Sequence, residues 1–275
     1  MTAPAEAARA FEAACRAELT ALKPGNVHVF APGHGMEVAH FERAAAAAAP
    51  AICALGLSVG GRIEAAVKAS LAVAGCNTNL GIILLCAPLV SAALSTGGKS
   101  LPARLAKVLD ALDVADAEAA FRAIAAASPG GLGSTQEADV RGPATLSLAA
   151  AMALAADRDM IARQYGNGFA EVFSLGVPAL QEAPTAPERV EDAFLAFLCA
   201  FPDSHIARKF GAQAAEGVRA EAIAVQAAIN GLAGEERHSV LAAFDASLKA
   251  RGLNPGTSAD LTVASIFTAL LQRSD

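Results

Sequence analysis

The sequence predicts an all-α fold in which one large, bundle-like domain of many helices spans residues 1–275. Alanine, the strongest helix former, supplies 71 of the 275 residues. Apolar residues recur at helical spacing along the chain, whereas no segment alternates β-branched and aromatic residues as a half-buried strand does. No repeat of fixed period is present, so the pattern favours a single packed domain over a solenoid.

The predicted helices follow this periodicity and are separated by turns rich in glycine, proline and polar residues. The segment 101–112 shows the pattern clearly, because Leu101, Leu105, Leu109 and Leu112 fall on one face. In chain order, the helices are predicted over 4–22, 37–56, 60–74, 79–96, 101–112, 116–127, 144–157, 159–175, 188–201, 204–228, 236–251 and 258–272.

The composition argues against membrane and nucleic-acid proteins. Hydrophobic residues make up 54% of the chain, but much of that total is alanine. Only the segment 80–90 is strongly apolar, and it is too short to span a bilayer. The net charge of −6 and the absence of tryptophan disfavour a surface that binds nucleic acid. We therefore expect neither a membrane nor a nucleic acid as partner.

Cysteine usage indicates the cellular compartment. The five cysteines are irregularly spaced and form no Cys-x-x-Cys pair, so neither a disulfide framework nor a zinc site is predicted. The first residues form a charged amphipathic helix rather than a signal peptide. These features favour a reducing, cytoplasmic setting. A homodimer is compatible with the sequence.

Polar residues gather in a few loops, and the first follows helix 4–22. It contains Lys23, Asn26 and His28, and His34 comes six residues later. Proline and glycine end the helix here, and lysine suits the carboxyl end of a helix, so an ordinary C-terminal turn explains the segment. The alternative is that these polar side chains bind a ligand.

The second polar loop, 77–81, has apolar flanks. Asn77 and Asn79 exceed what one helix N-cap needs, and buried amides require hydrogen-bond partners, so a ligand is one explanation. Glu64, in the preceding helix, is either a partner for Lys68 at i,i+4 or a catalytic carboxylate.

A glycine-rich segment, 128–134, leads to Asp139. Glycines let backbone amides approach phosphates, but a flexible connector is equally compatible with this pattern. Further along, Asp159 and Arg163 are spaced for an i,i+4 pair. A surface salt bridge therefore competes with a metal-binding role for Asp159.

The fourth and fifth polar loops precede the helices 204–228 and 258–272. In the fourth, Asp203 is a natural N-cap, and His205, Arg208 and Lys209 share one helix face. Such a face either holds an anion or is simply solvated.

The fifth loop runs from Asn254 to Leu261. Its Thr257-x-x-Asp260 spacing is typical of a capping box, with aspartate in place of glutamate. The Asn-Pro-Gly sequence before it predicts a tight, exposed turn.

Together these segments resemble the triphosphoribosyl-dephospho-coenzyme A synthase family. The match includes Lys23-Pro24-Gly25, the Asn-Thr and Gly81 of the second loop, and 254–261, which is similar to the family's Ser-Pro-Gly-Gly-Ser-Ala-Asp-Leu-Leu. The resemblance implies an all-helical enzyme. Such enzymes join the ribose C1′ of ATP to the 2′-hydroxyl of dephospho-coenzyme A and release adenine.

The departures from the family pattern indicate a divergent branch. The usual Asn-Thr-His-Lys-Gly is Asn-Thr-Asn-Leu-Gly at 77–81, and the Gly-Ala-His-x-Asp-Met segment is represented only by 33–36, without its aspartate. Such branches resemble proteins associated with one-carbon and tetrahydromethanopterin metabolism. The donor would then be phosphoribosyl pyrophosphate instead of ATP, and the acceptor another cofactor precursor.

The resemblance implies a pentosyltransferase that needs carboxylates at the ribose C1′ and Mg²⁺ at the donor's phosphates. The predicted catalytic residues are Asp139, Asp203, Asp260 and Glu64, of which Asp203 and Asp260 are also predicted metal ligands. The predicted substrate- or phosphate-binding residues are Lys23, Asn26, His28, His34, Asn77, Asn79, His205, Arg208, Lys209 and Asn254.

Two alternatives from other classes stand beside the transferase. One is a helical nucleotide-binding or scaffold protein that has lost catalysis, which the missing His, Lys and Asp would permit. The other is a serine hydrolase that uses Ser58, within Gly56-Leu57-Ser58-Val59-Gly60. A nucleophile elbow needs a strand before the serine, and an alanine-rich helix precedes it here.

Overall fold

The computed structural model describes residues 2–33, 35–96, 100–130 and 138–273, and these ranges contain helices but no strand. Two isolated β-bridges lie in the loop after the first helix. A short π-helical turn, Val172–Gly176, precedes α9. The α-helices are α1 Pro4–Thr20, α2 Val38–Ile52, α3 Val59–Ala74, α4 Leu80–Leu94, α5 Leu101–Asp110, α6 Val114–Ala127, α7 Leu148–Ala153, α8 Met160–Asn167, α9 Val177–Leu180, α10 Pro187–Ala200, α11 Ser204–Phe210, α12 Ala212–Ile229, α13 Gly234–Ala250 and α14 Gly256–Arg273.

The all-α prediction is confirmed, and each predicted helix overlaps an observed one. Two predicted helices, 159–175 and 204–228, were too long. The first ends early because Gly168, with φ of 70°, forms a left-handed C-cap of α8. The second is interrupted at Gly211, whose φ of 90° turns the backbone between α11 and α12.

Helix α14 is the central element of the core. It packs against α1, α4, α10 and the π-helical turn. The rings of Phe11 and Phe267 meet edge to face, with centroids 6.0 Å apart. Helix α4 is buried on nearly all sides, as expected for a helix that is apolar all round. None of the described helices is both long and apolar enough to cross a membrane.

The starts of α4, α11 and α14 lie close to the end of α1. Residues from all four segments line one cavity, and side chains of α6, α7 and α8 complete its wall. The polar loops that are far apart in the sequence therefore meet at one place. This convergence positions the candidate site.

Candidate functional site

The cavity has a volume of about 750 Å³, which is within the range of small-molecule sites. One part of its wall is apolar and includes Phe41, Phe121 and Met152. The polar part includes eight of the residues predicted from sequence: Asn26, Asn77, Asp139, His205, Arg208, Lys209, Asn254 and Asp260.

Asp260 lies in the second turn of α14 and contributes its carboxylate to the cavity. It packs against Gly81, where a Cβ atom would come within 2.6 Å of the Asp260 Cγ. Burial, together with the negative charges of Glu18 and Asp203, raises the pKa of the Asp260 carboxyl well above its usual range. A carboxyl in such an environment can carry a proton at neutral pH.

Asp203 does not line the cavity, and its carboxylate joins α11 to α14. Oδ1 accepts hydrogen bonds from the backbone amides of His205 and Ile206 at 2.9 and 3.1 Å. Oδ2 accepts from the amide and the hydroxyl of Ser258 at 2.8 and 2.9 Å. Because both oxygens are committed and the side chain is buried, the structure gives Asp203 a positioning role rather than the catalytic and metal-binding roles predicted for it.

One hydrogen bond joins the first and fifth loops. The amide of Asn26 donates to Oδ1 of Asn254 over 2.8 Å, and both residues line the cavity. His205 also lines it, and its backbone amide donates to Thr257 Oγ1 at 3.1 Å. These contacts fix the polar wall around the start of α14.

Three basic residues, which we call the basic rim, line the cavity near α8 and α11: Arg158, Arg208 and Lys209. The Arg208 Nη1 lies 3.2 Å from Asp159 Oδ2, and its Nε donates to the Gly130 carbonyl. Arg158 was not predicted, and no spacing in the sequence pointed to it. A rim of this kind can hold phosphates.

The expected pair between Asp159 and Arg163 is wrong. Asp159 caps α8 by accepting from the amides of Ile161 and Ala162, and it pairs with Arg208 instead. Arg163 pairs with Glu171 at 2.8 Å. The side chain of an N-cap residue turns toward the first backbone amides of its helix, so the Asp159 carboxylate does not pair with Arg163 four residues later.

Lys23 is completely buried and does not line the cavity, so the structure does not support direct phosphate binding by it. Its Nζ lies 3.1 Å from Glu18 Oε1 and donates to the Val27 carbonyl. Burial lowers the pKa of Lys23, and Glu18 offsets part of that shift.

Glu18 lines the cavity and was missed by the sequence reasoning. It lies on the buried face of α1 with Phe11, Ala14 and Cys15. A carboxylate on that apolar stripe was the signal that could have identified it. Burial raises the pKa of Glu18, and the ammonium group of Lys23 offsets part of the rise.

His28 is buried behind the cavity rather than in its lining. Its Nε2 lies 3.3 Å from Asp245 Oδ1 and 3.3 Å from Lys249 Nζ. Asp245 also accepts from the Gly25 amide, so this cluster holds the loop after α1 against α13. Burial lowers the pKa of His28. His34 lies outside the described residues.

The second loop is divided between two roles. Asn77 and Thr78 line the cavity, and Asn77 Oδ1 accepts from the Leu80 amide at 3.2 Å. Asn79 instead is buried away from the cavity, where its Oδ1 accepts from the Ser70 hydroxyl at 2.6 Å. Ligand binding by Asn79 therefore has no support in the geometry.

Two predicted carboxylates form bidentate pairs with arginines. Glu64 pairs with Arg122, not with Lys68, at 2.8 and 2.9 Å, and neither side chain lines the cavity. The catalytic role predicted for Glu64 is thus not supported. Asp139 lines the cavity but pairs with Arg141, at 2.9 and 3.0 Å.

The described residues do not form a resident metal site. No group of three or more His, Cys, Asp or Glu side chains within the described ranges could hold a metal ion. Magnesium needs few protein ligands when substrate phosphates supply the rest. The protein ligands that are present therefore fit a Mg²⁺ ion that enters with a phosphorylated substrate.

The arrangement combines the basic rim, several carboxylates that include Glu18 and Asp260, and an apolar wall. Asp260 and Glu18 can stabilise or exchange protons with a reacting group, while the basic rim holds an anionic portion of the same molecule. This combination suits group transfer from a phosphorylated donor.

Comparisons with known proteins agree with this arrangement. A crystal structure from Archaeoglobus fulgidus, provisionally named a triphosphoribosyl-dephospho-CoA synthase, is similar to this chain with a TM-score of 0.66 and 26% sequence identity. The similarity covers 83% of this chain and 97% of that one. No curated protein matches the sequence. The family model described as CitG, ATP:dephospho-CoA triphosphoribosyl transferase, matches residues 4–275, and the chain therefore belongs to this family of transferases.

Proposed function

We propose that the protein transfers the triphosphorylated ribose of ATP to a hydroxyl group of a cofactor precursor such as dephospho-coenzyme A. The C1′–N9 bond of ATP breaks, a C1′–oxygen bond forms, and adenine leaves. The observation that carries this proposal is that the basic rim and the Asp260 carboxyl line the same cavity. A single donor molecule can then contact both the basic rim and the Asp260 carboxyl.

The phosphates of ATP bind at Arg158, Arg208 and Lys209 in this proposal. Lys209 is exposed at the rim, and Arg208 is half-buried and oriented by Asp159 and Gly130. Guanidinium groups match phosphate geometry and contribute charge-assisted hydrogen bonds. Fixing the phosphates at the rim places the ribose further inside the cavity.

The ribose lies between the joined side chains of Asn26 and Asn254 and the carboxyl of Asp260. Displacement at C1′ develops positive charge on the sugar ring, which nearby carboxylates stabilise. Holding donor and acceptor together also removes much of the entropic cost of their encounter. The apolar wall at Phe41 and Phe121 takes a flat, weakly polar ring.

Mg²⁺ is proposed to enter as the complex with ATP. When bound, it neutralises phosphate charge and fixes the conformation of the polyphosphate. The chain's own residues hold the phosphates from the other side, through the basic rim. The proposal gives no structural Mg²⁺ site to Asp203, whose oxygens are occupied by backbone and hydroxyl donors.

Phosphoribosyl pyrophosphate is the second candidate donor, with an acceptor from tetrahydromethanopterin-type cofactor synthesis. Asn79 and Leu80 occupy positions where the family pattern has His and Lys, and Leu80 lines the cavity. The missing lysine is compatible with a donor whose three phosphates are arranged differently, because phosphoribosyl pyrophosphate carries two of them at C1′ and one at C5′. A scaffold without catalysis is less well supported, because the carboxyl groups of Glu18 and Asp260 still line the cavity.

The donor is tested by incubating the protein and Mg²⁺ with either donor, together with either dephospho-coenzyme A or a pterin acceptor. Chromatography then measures free adenine and free pyrophosphate. The proposal expects adenine from ATP. Pyrophosphate from phosphoribosyl pyrophosphate with a pterin acceptor would favour the second donor, and thermal shift without turnover of either donor would favour the scaffold.

A further inference from the structure

Among the described residues, four carboxylates line the cavity, but their hydrogen-bonding states differ. Asp139 is held by Arg141, and Asp159 caps α8 and pairs with Arg208. Glu18 is paired with the buried Lys23, whose Nζ lies 3.1 Å from Oε1, and with no arginine among the described residues. The Asp260 carboxyl forms no hydrogen bond or ion pair with the residues that the structure describes. Glu18 and Asp260 are therefore the two carboxyl groups left to act on a substrate.

These two groups differ in their electrostatic surroundings. Burial raises the pKa of Glu18, and the ammonium of the completely buried Lys23 offsets part of that rise by favouring the charged form. Asp260 faces the negative charges of Glu18, Asp203 and Asp159 and the positive charge of Arg208. It also packs closely against Gly81. One carboxyl thus has a matched cation, and the other is surrounded mostly by like charge.

We propose that Asp260 is the general acid that protonates the leaving adenine, that Glu18 is the general base that accepts the acceptor's hydroxyl proton, and that Lys23 is a positioning residue for Glu18. This inference rests on the proposed function, and it assigns the two proton transfers of that reaction to two different carboxyl groups. Two carboxyl groups whose environments differ in this way commonly take opposite roles.

The proton transfers balance. The Asp260 proton moves to a ring nitrogen of adenine as the C1′–N9 bond breaks, and the bonding electron pair leaves with the base. The acceptor oxygen forms its bond to C1′ while its proton moves to Glu18. After the products leave, Glu18 gives up one proton and Asp260 regains one, so the cycle returns both groups to their starting states.

The proposed role of Lys23 accounts for its burial. A completely buried lysine is costly unless it is paired, and within the described part of the chain the Lys23 Nζ is paired with Glu18 Oε1 and donates to the Val27 carbonyl. The pair holds the Glu18 carboxylate at the cavity wall. Lys23→Met should shift the acidic limb of the pH–rate profile to higher pH, which a packing role alone would not do.

The experiment compares two donors in single-turnover reactions with dephospho-coenzyme A. One donor is ATP, and the other carries p-nitrophenol in place of adenine, a group that leaves without protonation. Asp260→Asn should slow the reaction of ATP by about 100-fold or more and should recover to within about tenfold of wild type with the nitrophenyl donor. Glu18→Gln should be slow with both donors while its Kd for ATP stays nearly unchanged.

Glu191→Gln is the matched control, since Glu191 is also buried and ion-paired, with Arg237, but does not line the cavity. If Glu18→Gln does not fold, Glu18→Asp keeps the charge and should still lose rate through its shorter reach. Equal loss with both donors in Asp260→Asn, or full activity in Glu18→Gln, would overturn the proposal. An inactive wild type would instead overturn the proposed function itself.

Discussion

Gly81 and Asp260 pack so closely that no side chain fits between α4 and the carboxyl on α14. A Cβ at position 81 would overlap Asp260 Oδ2 and would lie 2.8 Å from the Ile161 Cδ1. The glycine in the first turn of α4 thus sets the position of the carboxyl in the cavity. Four predictions follow from this geometry and from the surrounding contacts.

Gly81→Ala should lower turnover strongly, because the new methyl group must displace the Asp260 carboxyl or push α4 away from α14. We expect a loss of about 1–3 kcal/mol in the free energy of unfolding from overpacking. Gly217→Ala is the control, since a Cβ there meets nothing within 4 Å and alanine favours its helix. Thermal denaturation and adenine release measure both effects, and an active, stable Gly81→Ala would contradict the packing.

Asp260→Asn should change stability in a pH-dependent way. Because the folded-state pKa of Asp260 is raised above its ordinary 3.8, its protonated form stabilises the fold at low pH. That contribution is lost as pH rises from about 4 through the folded-state pKa. Asparagine stays neutral, so the Tm of the variant should rise relative to the Tm of the wild type as pH increases. A constant difference between pH 3 and 8 would show that Asp260 is not titrating as argued.

Arg208→Ala should weaken ATP binding by about 10- to 100-fold, which corresponds to the loss of a charge-assisted hydrogen bond worth about 1.5–3 kcal/mol. Arg251→Ala removes a comparable bidentate arginine, paired with Glu221 on the surface, and should leave binding unchanged. Calorimetric titration with MgATP gives both Kd values. Similar Kd values for the two variants would remove Arg208 from the phosphate site.

Asp203→Ala should destabilise the protein by roughly 3 kcal/mol, because it removes an N-cap and leaves buried donors of α11 and α14 without an acceptor. Urea denaturation measures the loss. Asp159→Ala serves as a comparison, since that cap is half-exposed and should cost about 1 kcal/mol. A smaller loss in Asp203→Ala than in Asp159→Ala would contradict the joining role of Asp203.

The fold class and most of the helices could be predicted from sequence, because helix propensity and apolar spacing are properties of short stretches of the chain. The same reasoning extended 159–175 and 204–228 too far, because it gave too little weight to the glycines at 168 and 211. These residues adopt positive φ and end their helices. In both places the glycine itself was the usable local signal, because glycine is the residue most often found just after the end of a helix.

The candidate site was predicted only in part, because burial and pairing depend on contacts distant in sequence. Lys23 and Glu18 are on the same short stretch, yet the glutamate lines the cavity and the lysine lies behind it. Asp159 pairs with Arg208, far along the chain, and not with its helical neighbour Arg163. Spacing identifies which loops are polar, but only packing decides which side chain faces the cavity.

The most direct measurement follows the ribose of ATP itself. ATP labelled with carbon-13 in the ribose is incubated with Mg²⁺, dephospho-coenzyme A and the protein, and the products are analysed by mass spectrometry. We predict unlabelled adenine and an acceptor that has gained the labelled ribose with three phosphates. Labelled ADP or AMP, or an acceptor that carries adenine along with the label, would contradict transfer at C1′.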